Sequence, residues 1–314
     1  MSAPQAFDVV VAGGGIAGLT AGLFCARLGH ATLVLVPLMP GGQLATIARI
    51  EDFPGFAQGI AGFELGPMVQ EQAAAAGAQF QMGELQLLAP VEGAWQVTTS
   101  DGELRAKAVI IATGSAGRVL GVPGEAHLTG KGVSHCASCD GPMLRNKKAI
   151  VVGGGDSALQ EALTLAEFAA EVLVLHASAA ADAQAVYLRR IAEHANIRMQ
   201  GNSIVEAILG EQVVTGVRVR ANGDTHDVAA DAVFVYIGLQ PNTAFLQGIA
   251  ERDERGRVRT DIWMRSSAAG LFAAGDIRAD SASQAITAAG DGATAALAAH
   301  RYLQDAAWPG VSSC

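Results

Sequence analysis

The sequence has no excess of positive charge: 21 Lys and Arg stand against 30 Asp and Glu, a net charge of −9. That argues against a basic nucleic-acid surface and against electrostatic docking on an anionic membrane. Long hydrophobic runs are also missing. Mean hydropathy is positive at +0.30, yet glycine or polar residues break every apolar stretch before the roughly 18–20 residues of a spanning helix. Aromatic residues are only 5% and charged residues only 16%, but the hydrophobic content of 50% supplies a core and argues against disorder. Cysteine is scarce, with four in 314 residues (Cys25, Cys136, Cys139 and Cys314), and their spacing is not that of a disulfide framework. In a reducing compartment a close pair such as Cys136 and Cys139 is more often catalytic or metal-binding than structural. The opening residues lack the basic region of a secretory signal and their apolar part is interrupted by glycine. They read as a mature strand, turn and helix, which places the protein in the cytoplasm.

What the sequence does contain is a repeat. Residues 9–12 form an apolar run suited to a buried parallel strand, Gly13, Gly14 and Gly15 make a turn, 16–28 has helical spacing, and 31–36 is a second strand. Gly13, Gly15 and Gly18 give the dinucleotide fingerprint G-x-G-x-x-G. Glycine is needed there because the backbone must approach a pyrophosphate, which then meets the free N–H groups of the helix. The pattern returns as KAIVVGGGDSALQEAL from Lys148, with Gly153, Gly155 and Ala158 as its fingerprint. Two βαβ starts this far apart imply two dinucleotide-type modules. Between them, 95–108 alternates as a hairpin about Asp101-Gly102, followed by another buried strand at 108–112 that ends in Thr113-Gly114. Segments 204–220 and 226–237 repeat that order. The expected fold is therefore α/β, two Rossmann-like dinucleotide-binding domains (three-layer ββα), the second inserted into the first. Near the C-terminus GLFAAGDI is a short strand running into Gly275-Asp276, and 284–303 is an Ala-rich helix. Asp276 on its own reads as a turn or cap residue; beside the first fingerprint it reads as a partner for a ribityl hydroxyl of a flavin.

Cys136-Ala137-Ser138-Cys139 spaces two sulfurs to close a disulfide within one helical turn, where one thiol is commonly a thiolate near neutral pH. Asp140 follows, a carboxylate placed to give a proton to a leaving thiolate. The alternatives are half of a zinc site or simply buried cysteines. Zinc needs further ligands, and adjoining His135 supplies only a third, so no metal is expected.

At this point the chain resembles the low-molecular-weight thioredoxin reductases over nearly its whole length. The resemblance is carried by GGGIAGLTAG (13–22), MPGGQL (39–44), EDFPGF (51–56), VIIATGS (109–115), CASCDG (136–141), VVGGGDSALQEALTLAEFA (151–169), GLFAAGD (270–276) and QAITAAGDGATAA (284–296). It implies an FAD domain at 1–116 and 244–314 around an inserted NAD(P)-type domain at 117–243, usually in a homodimer. It implies electron passage from FAD to a Cys136–Cys139 disulfide and on to a thioredoxin-like protein or a small disulfide. By matching positions, Cys139 lies next to the flavin, Cys136 attacks the substrate disulfide, and Asp140 is the acid. FAD contacts are expected from Gly13, Gly15, Ile16, Ala17, Gly18, Gly42, Gln43, Leu44, Asp52, Ala112, Thr113, Gly114, Gly275, Asp276, Gln284, Ala285 and Ile286.

The sequence also departs from that family. Its NADPH-using members follow the second strand of the inserted domain with His-Arg-Arg and a further Arg, which hold the 2′-phosphate. Here His176 remains, but Ala177 and Ser178 replace the paired arginines, Asp182 stands at the third position, and the next basic residues are Arg189 and Arg190. Asp52 replaces an Asn, and near a flavin its carboxylate would disfavour a reduced anionic flavin. Ser283 replaces a basic residue, and the tail 306–314, with Trp308, reads as a disordered extension. The leading expectation is a thioredoxin reductase-like flavoprotein thiol–disulfide oxidoreductase whose donor is not NADPH but ferredoxin or another reduced partner. The alternatives are an FAD- and oxygen-dependent dithiol oxidase acting on a small molecule, and a non-enzymatic flavin-bound redox sensor. CxxCD favours the first.

Overall fold

The structure, a computed structural model, describes residues 4–305. These divide into two units, 4–116 with 240–305, and 117–239. The tail 306–314, with Trp308 and Cys314, lies outside the described residues.

The first unit opens with β1 (Gln5–Ala12), α1 (Ile16–Arg27), β2 (Thr32–Val36), α2 (Gly62–Ala75) and β3 (Gln79–Met82). It continues through β4 (Leu85–Val91), β5 (Ala94–Thr99), β6 (Gly102–Ile111) and the short β7 (Ser115–Gly117), at whose end the chain leaves the unit. The sheet order is β3-β2-β1-β6-β5-β4, with β1 parallel to both β2 and β6. Residues 102–111, expected as a hairpin arm and then a separate strand reaching 112, are one continuous β6. From Leu104 to Ile111 it pairs with β1, while its other edge serves β5 first and a later strand afterwards. Burial along β6 alternates and then becomes continuous, because only its second half is covered on both faces. Val9, Val11 and Val34 face α1 and the C-terminal helix, while Val10, Leu33 and Leu35 face the hairpin side with Trp95 and Val97.

The second unit holds α3 (Glu125–Leu128), β8 (Val133–Ser134), α4 (Ala137–Asp140), β9 (Lys148–Val152), α5 (Asp156–Ala166) and β10 (Glu171–Leu175). Then come α6 (Ala185–Glu193), β11 (Ile197–Gln200), β12 (Ser203–Leu209), β13 (Gly216–Ala221), β14 (Asp224–Ala229) and β15 (Ala232–Val235). Its parallel sheet runs β11-β10-β9-β15-β8. Ala149 and Val151 face α5 and α6, while Ile150 and Val152 face the β12–β14 side. Segment 226–237, expected as a single strand, is split. β14 completes a three-stranded antiparallel sheet with β12 and β13, and β15 joins the parallel sheet. Polar Asp224, His226 and Asp227 belong to the solvated β14 and the apolar 232–235 to the buried β15.

The chain returns to the first unit after β16 (Leu239–Pro241) begins, and adds β17 (Leu271–Ala273) and α7 (Ala285–Gln304). β17 takes the free edge of β6 at 109–111. No helix among the described residues is long and apolar enough to cross a membrane.

α7 lies against α1 so closely that a Cβ on Gly292 would meet the Ala17 carbonyl oxygen at 2.1 Å, whereas one on Gly290 meets nothing within 4 Å. Replacing a helical glycine by alanine gains up to about 1 kcal/mol of helix propensity, while overpacking against fixed backbone costs about 1–3 kcal/mol. Gly290→Ala should therefore raise the melting temperature and Gly292→Ala lower it, by roughly 2–4 °C per kcal/mol for a unit of this size. Calorimetry of both variants checks this, and equal shifts would contradict the close α1–α7 approach.

Candidate functional site

The first fingerprint is a backbone cradle. Gly13 has φ +123°, and a Cβ there would lie 2.1 Å from the Ala112 carbonyl oxygen. A Cβ on Gly18 would lie 1.9 Å from the Gly13 carbonyl, so α1 is drawn against the turn. Around Gly15 there is open space, and α1 begins directly after it with no side-chain cap. The first-turn N–H groups, around Ile16 and Ala17, thus have no side-chain cap, the arrangement in which a helix start can receive an anion. The Gly41 N–H donates to the Gly14 carbonyl (2.8 Å), and Gly42, at φ +58°, comes against Gly15. Gln43 and Leu44 follow in a 3-10 turn, and the Gln43 amide donates to the Ser115 carbonyl (2.7 Å).

Ala112, Thr113 and Gly114 close the cradle at the end of β6, the Ala112 N–H donating to the Ala12 carbonyl (2.8 Å). The loop 240–243 packs here: the Thr113 hydroxyl donates to the Asn242 carbonyl (2.8 Å) and the Asn242 amide to the Thr113 carbonyl (3.0 Å). A cavity of about 480 Å³ opens beside these residues, lined by Gly13, Pro37, Glu84, Thr113 and Asn242 among others. It sits at the C-terminal ends of β1 and β6, where strand order reverses, the usual place for a ligand in a parallel α/β sheet.

Gly275 joins the same cradle, since a Cβ on it would touch that of Ala17 (3.1 Å). Its N–H donates to the Asp291 carboxylate (3.1 Å), which also takes two hydrogen bonds from Arg278 (2.8 and 3.1 Å). Burial pushes the Asp276 carboxyl above the usual carboxylate range, against the opposing charge of Arg257. Gln284 precedes α7, and Ala285 and Ile286 form its first turn, Ile286 being exposed. Asp52 is exposed in the 52–55 bend, and among the described residues no hydrogen bond ties it to the cradle. A pyrophosphate-bearing dinucleotide fits this arrangement: the glycines open the backbone to it, the start of α1 supplies N–H donors, and the cavity gives room beyond.

The second unit carries the sulfur chemistry. Cys136 and Cys139 form a disulfide with their Cα atoms 5.3 Å apart. Cys136 caps the one-turn α4 and its Sγ accepts the Cys139 N–H (3.2 Å). The Ser134 hydroxyl accepts the Cys136 N–H (3.1 Å), and the Asp140 N–H donates to the Cys136 carbonyl (3.2 Å). Cys139 is exposed and Cys136 half-buried. Cys25 is different: burial pushes its thiol up to about 12, which removes it from thiolate chemistry.

Behind α4 the second fingerprint repeats the first. Gly153 has φ +144°, and its Cβ would lie 2.1 Å from the Tyr236 carbonyl oxygen. His176, just past β10, is buried against Gly154, whereas Ala177, Ser178 and Asp182 are exposed. The Ser178 hydroxyl is turned to the Ala180 carbonyl (2.8 Å), and Asp182 bridges to Gly155 through its backbone.

Sequence reasoning passed over Asn242, Asp291, Glu161 and Tyr236. A lone carboxylate in the alanine-rich 285–304 stretch was a usable signal for Asp291; Asn242 offered none.

A family model for pyridine nucleotide-disulphide oxidoreductases matches residues 7–292. The chain is 41% identical over 299 residues to thioredoxin reductase of Treponema pallidum, covering 95% of this chain and 97% of that one. It is 40% identical to thioredoxin reductase of Mycolicibacterium smegmatis, covering 95% and 97%. Among solved structures, Lactococcus lactis thioredoxin reductase in its FR conformation matches with a TM-score of 0.93 at 35% identity, covering 95% of this chain and 99% of that one. With its glycine cradle and its disulfide-bonded CxxC turn, this chain belongs to the pyridine nucleotide-disulphide oxidoreductase family, as an FAD-dependent disulfide oxidoreductase of the low-molecular-weight thioredoxin reductase type.

Proposed function

We propose that the enzyme reduces the disulfide of a thioredoxin-like protein or a small molecule, with electrons from a donor other than NADPH, such as a ferredoxin or another reduced protein. The observation that carries the substrate half is the Cys136–Cys139 disulfide on an accessible turn followed by Asp140. FAD, when bound by the residues of the first cradle, supplies the electron pair that opens this disulfide. The side chains then do the rest. The Cys136 thiolate attacks one substrate sulfur, forming a mixed disulfide and releasing the other sulfur, which Asp140 protonates. Cys139 attacks Cys136, restoring the intramolecular disulfide, and the substrate leaves as a dithiol. Cys136 suits the attacking role although Cys139 is more exposed, because the Cys139 N–H is aimed at its Sγ (3.2 Å) and stabilises a thiolate there. Cytoplasmic location and a homodimer complete the reading, from the reducing-compartment pattern of cysteine use and the family resemblance.

In a Cys139→Ser variant the second attack is absent. Turnover of a disulfide substrate should fall to background, and a mixed disulfide between Cys136 and oxidised thioredoxin should accumulate and be weighed by mass spectrometry. Parent-rate turnover in that variant would contradict the assigned pathway.

The donor half rests on Ala177, Ser178 and Asp182, all exposed after β10 where guanidiniums would grip a 2′-phosphate. Charge-assisted hydrogen bonds contribute roughly 1.5–3 kcal/mol each. Without two of them, NADPH binding should be weaker by roughly two to four powers of ten, and Asp182 adds repulsion. Stopped-flow mixing with NADPH, following the flavin absorbance, should show little reduction within a turnover. Ala177→Arg, Ser178→Arg and Asp182→Arg together should restore it. Full reduction of the parent enzyme by NADPH would overturn the donor assignment.

A further inference from the structure

Beneath the redox turn lies a buried acid that the reaction scheme leaves unused. Glu161, on α5, is 7% exposed. Its Oε2 accepts two hydrogen bonds, from the backbone N–H of Ala137 (2.9 Å) and from the Tyr236 hydroxyl (3.2 Å). Ala137 is itself fully buried and adjoins Cys136 in the chain. Tyr236 follows β15 and its carbonyl is the atom pressed against Gly153. One carboxylate thus joins the redox turn to the strand end beside the second glycine loop, within the 117–239 unit. Burying a carboxylate is costly, and an amide or hydroxyl would accept the same N–H at less cost. What the carboxylate adds is charge.

We propose that Glu161 is a positioning residue for the Cys136–Cys139 pair, holding the redox turn through the Ala137 N–H and setting, by its charge, how readily the reduced pair gives up its electrons. The inference rests on the reading of these cysteines as the redox pair. Reduction breaks the Sγ–Sγ bond and takes up two electrons, supplied by the enzyme's own reduced cofactor or, in a test, by glutathione. One sulfur takes a proton and the other is left as a thiolate or is protonated in turn. A thiolate on Cys136 receives the Cys139 N–H, but the Ala137 N–H is already committed to Glu161. A carboxylate bonded one residue away opposes that thiolate. It therefore shifts the equilibrium towards the disulfide, making the dithiol the stronger reductant.

Burial pushes the Glu161 carboxyl up, while the Ala137 and Tyr236 donors pull it down and favour the anion. The titratable group bonded to it is Tyr236 beyond β15, on which Asp140 of the redox turn also acts; burial and the Glu161 charge push the Tyr236 hydroxyl up, keeping it a donor.

The test uses the FAD-loaded enzyme, equilibrated without oxygen in glutathione buffers of graded ratio, then acid-quenched, alkylated and weighed to count thiols. Glu161→Gln keeps an oxygen for the Ala137 N–H and removes the charge. Its half-reduction point should move to less reducing buffer by roughly three- to tenfold in the equilibrium constant, up to about 30 mV for a two-electron couple. The pH midpoint for Cys136 alkylation should fall as well. Tyr236→Phe withdraws a donor that favours the anion and should shift the equilibrium the same way by less. A merely structural role would lower the melting temperature and leave both readouts where they were. If the parent pair fails to cycle at any ratio, the redox-pair reading and this inference fall together. If the parent cycles and a folded Glu161→Gln titrates at the same or a more reducing ratio, the inference alone falls. Should Glu161→Gln not fold, an unshifted Tyr236→Phe overturns it equally.

Discussion

Both units depend on one steric constraint, the absence of a Cβ where the first strand of each βαβ unit turns into its helix. At Gly13 a Cβ would meet the Ala112 carbonyl at 2.1 Å, and at Gly153 it would meet the Tyr236 carbonyl at 2.1 Å. In each unit the strand that leads into this carbonyl, β6 or β15, runs parallel to the strand that leads into the glycine and ends beside it. The close approach brings strand end, turn and helix start to one point, and everything chemical gathers there. In the first unit it draws in Gly42, Thr113 and Gly275. In the second, the same crossing sets Tyr236 beside α5, where Glu161 reaches both it and the redox turn.

Much of this was legible because its signals are local. Glycines with required backbone angles, a switch from apolar run to helical spacing, and a CxxC pair each sit within a few neighbouring residues. Periodicity misled at two strands. Along β6 the alternation stops midway because hairpin cover on one face gives way to burial on both, so one strand read as two. Along 226–237 two strands read as one: hydropathy does change from the polar β14 to the apolar β15, but the accompanying change of sheet is set by pairing with distant strands. The side chains that escaped notice act across long sequence gaps: Asp291 on Gly275, Asn242 on Thr113, and Glu161 on Ala137. Each is an ordinary polar residue until the fold sets it against a backbone group.

The positions where a departure from the family pattern is expected fall outside the crossing. Asp52, Ala177, Ser178, Asp182 and Ser283 are all exposed, while the fingerprint glycines Gly13, Gly18 and Gly153 sit against backbone carbonyls. Exposed positions can change without disturbing the packing that the crossing imposes, which is why the proposed change of electron donor requires no change in the cradle or the sulfur pair.

Bound FAD and the Cys136–Cys139 disulfide are expected to accept electrons as one system. Anaerobic titration of the purified flavoprotein with a two-electron reductant, followed by alkylation and mass measurement, tests it most directly. Uptake should reach about two equivalents per chain, one for FAD and one for the disulfide, with Cys136 and Cys139 newly alkylated at the end. Complete bleaching of the flavin after about one equivalent, with both cysteines still unlabelled, would contradict it.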